Sequence, residues 1–177
     1  MGVAGSGKST LGVALADALG CGFQEGDALH PPASLRKMSN GQPLDEVDRR
    51  PWLDAVAGWL ADRRAAGEGG VVSCSALRRS YRDRLRRADP DLLFVLLNPS
   101  RATLEQRLAK RIGHNFPATL LQSQLDAFEP PDANEGVLVV DATLAVSDAV
   151  ASVIARASDR RPAHPGSGEG DAPPLAG

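Results

Sequence analysis

The stretch Gly2-Val3-Ala4-Gly5-Ser6-Gly7-Lys8-Ser9 fits the pattern G-x-x-x-x-G-K-[ST] without a gap, and a helical pattern follows it at once. Glycines let the backbone turn so that successive N–H groups face one small bowl. That bowl and the helix N-terminus beside it both favour a di- or triphosphate. The pattern assigns nucleotide binding to Gly2, Val3, Ala4, Gly5, Ser6, Gly7, Lys8, Ser9 and Thr10. Lys8 is placed to reach the β- and γ-phosphates, and the Ser9 hydroxyl to ligate Mg²⁺. ATP with Mg²⁺ is the expected pair.

Upstream of the loop only Met1 is present, where a buried strand belongs. A strand of about 5–6 residues with apolar side chains worth roughly 1.5–3 kcal/mol each is a large part of a domain's stability. The expectation is therefore that the first strand is missing from this chain and that Met1 is an internal methionine.

Downstream, Leu11, Leu15, Ala18 and Leu19 recur at helical spacing over Lys8–Leu19, and Gly20 ends the run. Gly22–Glu25 reads as a strand, Ala33–Ser39 as a short helix, and Asp45–Ala66 as a long amphipathic helix with Pro51 in its first turn. Val71–Cys74, Leu92–Leu97 and Gly136–Val140 read as apolar strands. Helices are expected at Ser80–Ala88, Ser100–Arg111, Pro117–Ala127 and Ser147–Ala157. Apolar strands alternating with helices predict an α/β fold, a parallel sheet covered on both faces. One domain over 1–157 and a disordered tail over 158–177, rich in Pro, Gly and Ala, complete the division.

Composition bounds the rest. With 42% hydrophobic residues and a net charge of −2, the 177-residue chain gives no reason to expect nucleic acid or a membrane surface as partner. No apolar run approaches the ~20 residues of a membrane span. Cys21 and Cys74 lie far apart without metal-type spacing, which suits a reducing, cytoplasmic setting.

In a parallel α/β sheet, ligands sit beyond the C-terminal strand ends. That rule brings Glu25-Gly26-Asp27, His30, Ser73–Ser75, Asn98 and Asp141 toward the phosphate loop. Phosphoryl transfer needs a carboxylate to take or orient a hydroxyl proton and another group to help hold hydrated Mg²⁺. Asp27 suits the first role and Glu25, through water, the second. Arg107 and Arg111, four apart, are candidate catalytic arginines at the start of a lid over about 107–126. The Arg78–Arg87 cluster has one aromatic, Tyr81, and an interrupting Asp83, so most of it is expected to face solvent. Arg78 and Arg82, nearest the strand end, are candidates for an anionic substrate, as are His30 and Lys37.

Taken together, Gly2–Thr10 (GVAGSGKST), Glu25–Pro32 (EGDALHPP), Asp48–Leu53 (DRRPWL), Cys74–Arg86 (CSALRRSYRDRLR), Leu108–Pro117 (LAKRIGHNFP) and Leu120–Pro131 (LLQSQLDAFEPP) resemble the gluconokinases. The likeness runs from Gly2 to about Ala157. It implies ATP-dependent phosphorylation of D-gluconate to 6-phosphogluconate, which feeds pentose phosphate metabolism. It also implies a nucleoside-monophosphate-kinase-like core with a lid, often as a homodimer. By position, Lys8 and Ser9 serve ATP·Mg²⁺, Asp27 faces the substrate, and Arg107 and Arg111 belong to the lid. Asn115-Phe116 departs from the aromatic-then-Met usual there. Shikimate kinase, which would show Asp-x-Asp in place of Glu25-Gly26-Asp27, and a nucleotide-binding paralogue without turnover are the competing readings.

Overall fold

Helix α1 (Lys8–Leu19) begins where the phosphate loop ends, and no side chain caps it. The turn into it is made by Gly7 at φ 103°, a region that L side chains avoid because their Cβ meets neighbouring carbonyls. This computed structural model describes residues 1–110 and 118–158. Arg111, the lid loop through Pro117 with Asn115-Phe116, and the tail from 159 onward lie outside the described residues.

β1 (Gly22–Glu25) pairs in parallel with β2 (Gly70–Ser73), and β3 (Val95–Leu97) pairs in parallel with β4 (Leu138–Val140). The sheet is thus two 2-stranded pieces rather than one continuous surface. Met1 and Gly2 link them. The Met1 amino group donates to Val95 O, Leu97 N donates to Met1 O at 3.0 Å, and Gly2 N donates to Ser75 O at 3.2 Å. Among the described residues no strand precedes the phosphate loop.

Six further helices follow: α2 (Pro32–Ser39), α3 (Glu46–Ala65), α4 (Arg79–Ala88), α5 (Arg101–Ala109), α6 (Ala118–Asp126) and α7 (Val146–Ser158). Asp45 caps α3 in a reciprocal box with Asp48, each accepting from the other's N–H. Pro51 sits five residues after Glu46, a turn deeper than expected. The carbonyl it cannot serve belongs to Val47, which is 80% exposed, so water reaches it. β3 starts at Val95 instead of Leu92, because Leu92 N closes a turn on Asp89 O at 3.1 Å. β4 likewise starts two residues late, after a 3-10 turn over Ala133–Glu135.

Burial falls into three clusters. One joins α3 and α4 around Trp52, Val56, Tyr81 and Leu85. The second packs α1 and α7 against β3 and β4 through Leu11, Leu15, Leu97, Val140 and Val153. The third sets Val3 of the phosphate loop against Leu104 of α5 and Leu121 of α6. The back of the loop is therefore anchored in core while its front stays open. No described helix is long and apolar enough to cross a membrane.

Candidate active site

A cleft of about 670 Å³ opens over the phosphate loop, which contributes Ala4 through Thr10 to its wall. Because no side chain caps α1, the first-turn N–H groups are left for whatever enters. Ala4 N is held instead by Gln124 Oε1 of α6 at 2.6 Å. Lys8 Nζ folds back to donate to Val3 O at 3.0 Å. Ser6 Oγ is buried without a partner among the described residues. An uncapped helix start, a lysine and an orphaned hydroxyl in one bowl fit a polyphosphate.

Across the cleft stands the turn after β1. Gly26 can be nothing larger, since a Cβ there would lie 2.1 Å from Ser73 O. Trp52 Nε1 donates to Gly26 O at 2.8 Å, and Gly26 N donates to Ser73 Oγ at 3.3 Å. The Ser73 hydroxyl in turn donates to Glu25. Backbone and side chains thus fix Glu25 and Asp27, and both face the cleft. His30 stacks on Trp52 and leaves Nδ1 buried without a partner among the described residues. Burial lowers the His30 pKa; the nearby Asp27 carboxylate opposes that, and the Arg49 charge adds to it.

Arg107 ties the loop to the far strand pair: Nη1 donates to Ser6 O at 3.1 Å and Nη2 to Ala142 O at 2.7 Å. Asp141 also lines the cleft, held by the Thr143 N–H and hydroxyl at 2.8 and 2.7 Å, which lower its pKa. Among the described residues no group of three or more His, Cys, Asp or Glu side chains is arranged to hold a metal. Ser9 and Glu25 both line the cleft and suit an ion that takes most ligands from phosphate and water, as Mg²⁺ does.

Three of the expected substrate residues lie elsewhere. Arg82 is 1% exposed and gives its Nε and Nη2 to Glu135, at 2.5 and 2.8 Å, while Nη1 serves the carbonyls of Ala76, Leu77 and Glu129. With all three guanidinium nitrogens engaged in the interior, Arg82 does not reach the cleft, and contrary to expectation it is not a substrate residue. Lys37 pairs with Asp48 at 2.7 Å and joins α2 to α3. Arg78 pairs with Glu46 at 2.8 Å and lines a second, shallower hollow. Asn98 is exposed and does not line the cleft.

The structure adds residues that sequence reasoning left without a role. Trp52 belongs to the buried apolar face of α3, yet its ring N–H sets the acidic turn. Gln124 sits in the LLQSQ block, and Arg49 in DRRPWL, but spacing alone links neither to the cleft that both line.

A family model described as "AAA domain" matches residues 1–131. Gluconokinase of Gluconobacter oxydans is 51% identical over 140 residues, covering 79% of each chain. The thermoresistant gluconokinase of Escherichia coli is 39% identical over 155 residues, covering 87% of this chain and 89% of that one. This chain belongs to the gluconokinase family. A crystal structure of a gluconokinase from Sinorhizobium meliloti superposes with a TM-score of 0.81 at 48% identity, covering 90% and 89% of the two chains. Family and geometry agree on a P-loop kinase fold, with the phosphate loop, Glu25 and Asp27 lining one cleft in this chain.

Proposed function

We propose that this chain transfers the γ-phosphoryl group of ATP to D-gluconate, giving 6-phospho-D-gluconate and ADP. The observation that carries the reading is one cleft, in a chain of the gluconokinase family, that joins an intact phosphate loop to Asp27 and His30. The α1 N-terminus and Lys8 hold the β- and γ-phosphates, and Gly2–Thr10 cradles them. Ser9, and Glu25 through water, would hold Mg²⁺ beside those phosphates, where it would supply charge neutralisation.

Asp27 takes the proton of the gluconate 6-hydroxyl as its oxygen bonds to the γ-phosphorus. The bond from that phosphorus to the bridging oxygen breaks, and ADP carries the electron pair away. Arg107, fixed beside Ser6, stabilises charge on the transferring group, and Arg111 is proposed as its lid partner. His30 Nδ1 meets a substrate hydroxyl, which ends its lack of a partner. Lys37 and Arg78 line no part of the cleft and are held by Asp48 and Glu46, so neither carries a substrate role in this reading. A homodimer working in the cytoplasm completes the proposal; the free Cys21 and Cys74 suit that compartment.

Phosphorus NMR of a reaction with Mg·ATP and gluconate tests the reading. A new phosphomonoester matching 6-phosphogluconate, formed together with ADP, is expected. Phosphate release without a sugar ester would overturn it.

A further inference from the structure

We propose that Arg49 binds the carboxylate of the acceptor and so selects sugar acids over neutral polyols, with Tyr81 as its positioning residue. The proposal rests on the gluconate reading and adds the residue that recognises the acid.

Most arginines among the described residues pair with a carboxylate: Arg63, Arg64, Arg78, Arg79, Arg82, Arg84, Arg86 and Arg101 all do. Of those with no such ion pair, Arg36, Arg50, Arg87 and Arg156 are exposed and hydrated. Arg49 and Arg107 are the half-buried ones, and both line the cleft. A guanidinium half withdrawn from water without a counter-charge is costly unless a ligand supplies one. Arg107 already spans two carbonyls at the phosphate loop. Arg49 stands apart from that loop. It lies on α3, three residues before Trp52 and so on the same helix face, beside the His30 and Asp27 end of the cleft. Its charge acts on the His30 ring.

A chain of contacts keeps Arg49 free for an anion. Its Nη1 donates to the Tyr81 hydroxyl at 3.4 Å, and that hydroxyl donates to Glu46 Oε1 at 2.5 Å. Arg78 neutralises the same Glu46 oxygen at 2.8 Å. The carboxylate closest along this chain is thereby spent on Tyr81 and Arg78, and Tyr81, 4% exposed, offers Arg49 only a neutral acceptor. The guanidinium's remaining donors match a carboxylate in a planar, two-bond arrangement, which an ammonium cannot copy.

The test compares gluconate with D-glucitol, which carries a neutral CH₂OH in place of the carboxylate. The wild type and the Arg49→Gln, Arg49→Lys and Tyr81→Phe variants are each confirmed folded by thermal melt. The wild type should favour gluconate. Arg49→Gln should raise the gluconate KM about 10- to 100-fold, the range of a charged hydrogen-bonded contact, leaving the KM values for glucitol and Mg·ATP within about twofold. Arg49→Lys should recover part of the loss. Tyr81→Phe should narrow the gluconate-to-glucitol preference without touching the Mg·ATP KM. A folded Arg49→Gln enzyme with unchanged gluconate KM, or an equal rise for glucitol, overturns the assignment. An unchanged preference in Tyr81→Phe overturns the positioning role. Equal wild-type use of both acceptors overturns the anchor but leaves the kinase standing; turnover of neither acceptor overturns the gluconate reading and the anchor with it.

Discussion

The His30 imidazole lies flat against the Trp52 indole, ring centroids 4.5 Å apart and planes 10° from parallel. Through the same Trp52, α3 reaches the Gly26 carbonyl, so one side chain positions both His30 and the acidic turn. Burial in that stack holds the His30 pKa below its ordinary 6.5. Above pH 6.5 the folded and unfolded chains are both neutral at this site. Below it the unfolded chain takes up a proton that the folded one refuses, so stability falls as pH drops toward the folded pKa. Melting curves from pH 7.5 to 5.5 should show this slope in the wild type and a shallower one in His30→Gln. Identical slopes would place the titration elsewhere.

Gly26→Ala puts a Cβ 2.1 Å from the Ser73 carbonyl, where only backbone movement can make room. Turnover should fall at least tenfold while nucleotide affinity, set by the loop across the cleft, stays within about twofold. Fluorescent-nucleotide titration beside steady-state rates separates the two effects. Parallel loss of both would mean the turn supports the phosphate loop as well.

For Arg82 the expected role is structural. Arg82→Met takes from Glu135, which is 2% exposed, its two-bond partner, leaving Arg86 at 3.8 Å and the Asp132 N–H, and should cost about 3–5 kcal/mol. In a chain of this size that lowers Tm by roughly 6–20 °C. The gluconate KM, measured where the variant is still folded, should not change. Chiefly through the Arg82 hydrogen bond, the Glu135 pKa is held at about 2, below its ordinary 4.5. That stability is present above pH 4.5 and drains away as pH falls toward 2. Chemical denaturation at pH 6 and pH 3.5 should show a smaller loss on acidification in the variant.

Asp27→Asn keeps size and hydrogen bonding but removes the carboxylate proposed as proton acceptor. The expected fall in kcat is about 10²- to 10⁴-fold with nucleotide binding retained. Near-normal kcat would remove Asp27 from the acid–base role.

The phosphate loop and the regular elements were legible because local chemistry writes them. Gly7-Lys8-Ser9 opens α1, and the residues of β1 were read in place. Boundaries slipped where a turn competed, as at Leu92 and Gly136. Arg82 misled because an arginine beside a strand end looks alike whether it meets substrate or Glu135, 53 residues away. Arg49 went unassigned for the converse reason. Its meaning lies in a missing carboxylate partner and in the Tyr81–Glu46 contact, which only tertiary structure creates. Gln124, bonded to Ala4 from 120 residues on, is equally invisible to spacing.

The decisive measurement is ADP release from Mg·ATP by the folded protein, offered gluconate, shikimate, other sugar acids and nucleoside monophosphates in parallel. Gluconate should stimulate turnover with a kcat/KM at least about 100-fold above every other acceptor, a gap of about 2.8 kcal/mol in transition-state binding. ADP release no faster with gluconate than without an acceptor, in protein shown to bind ATP, would contradict the kinase assignment.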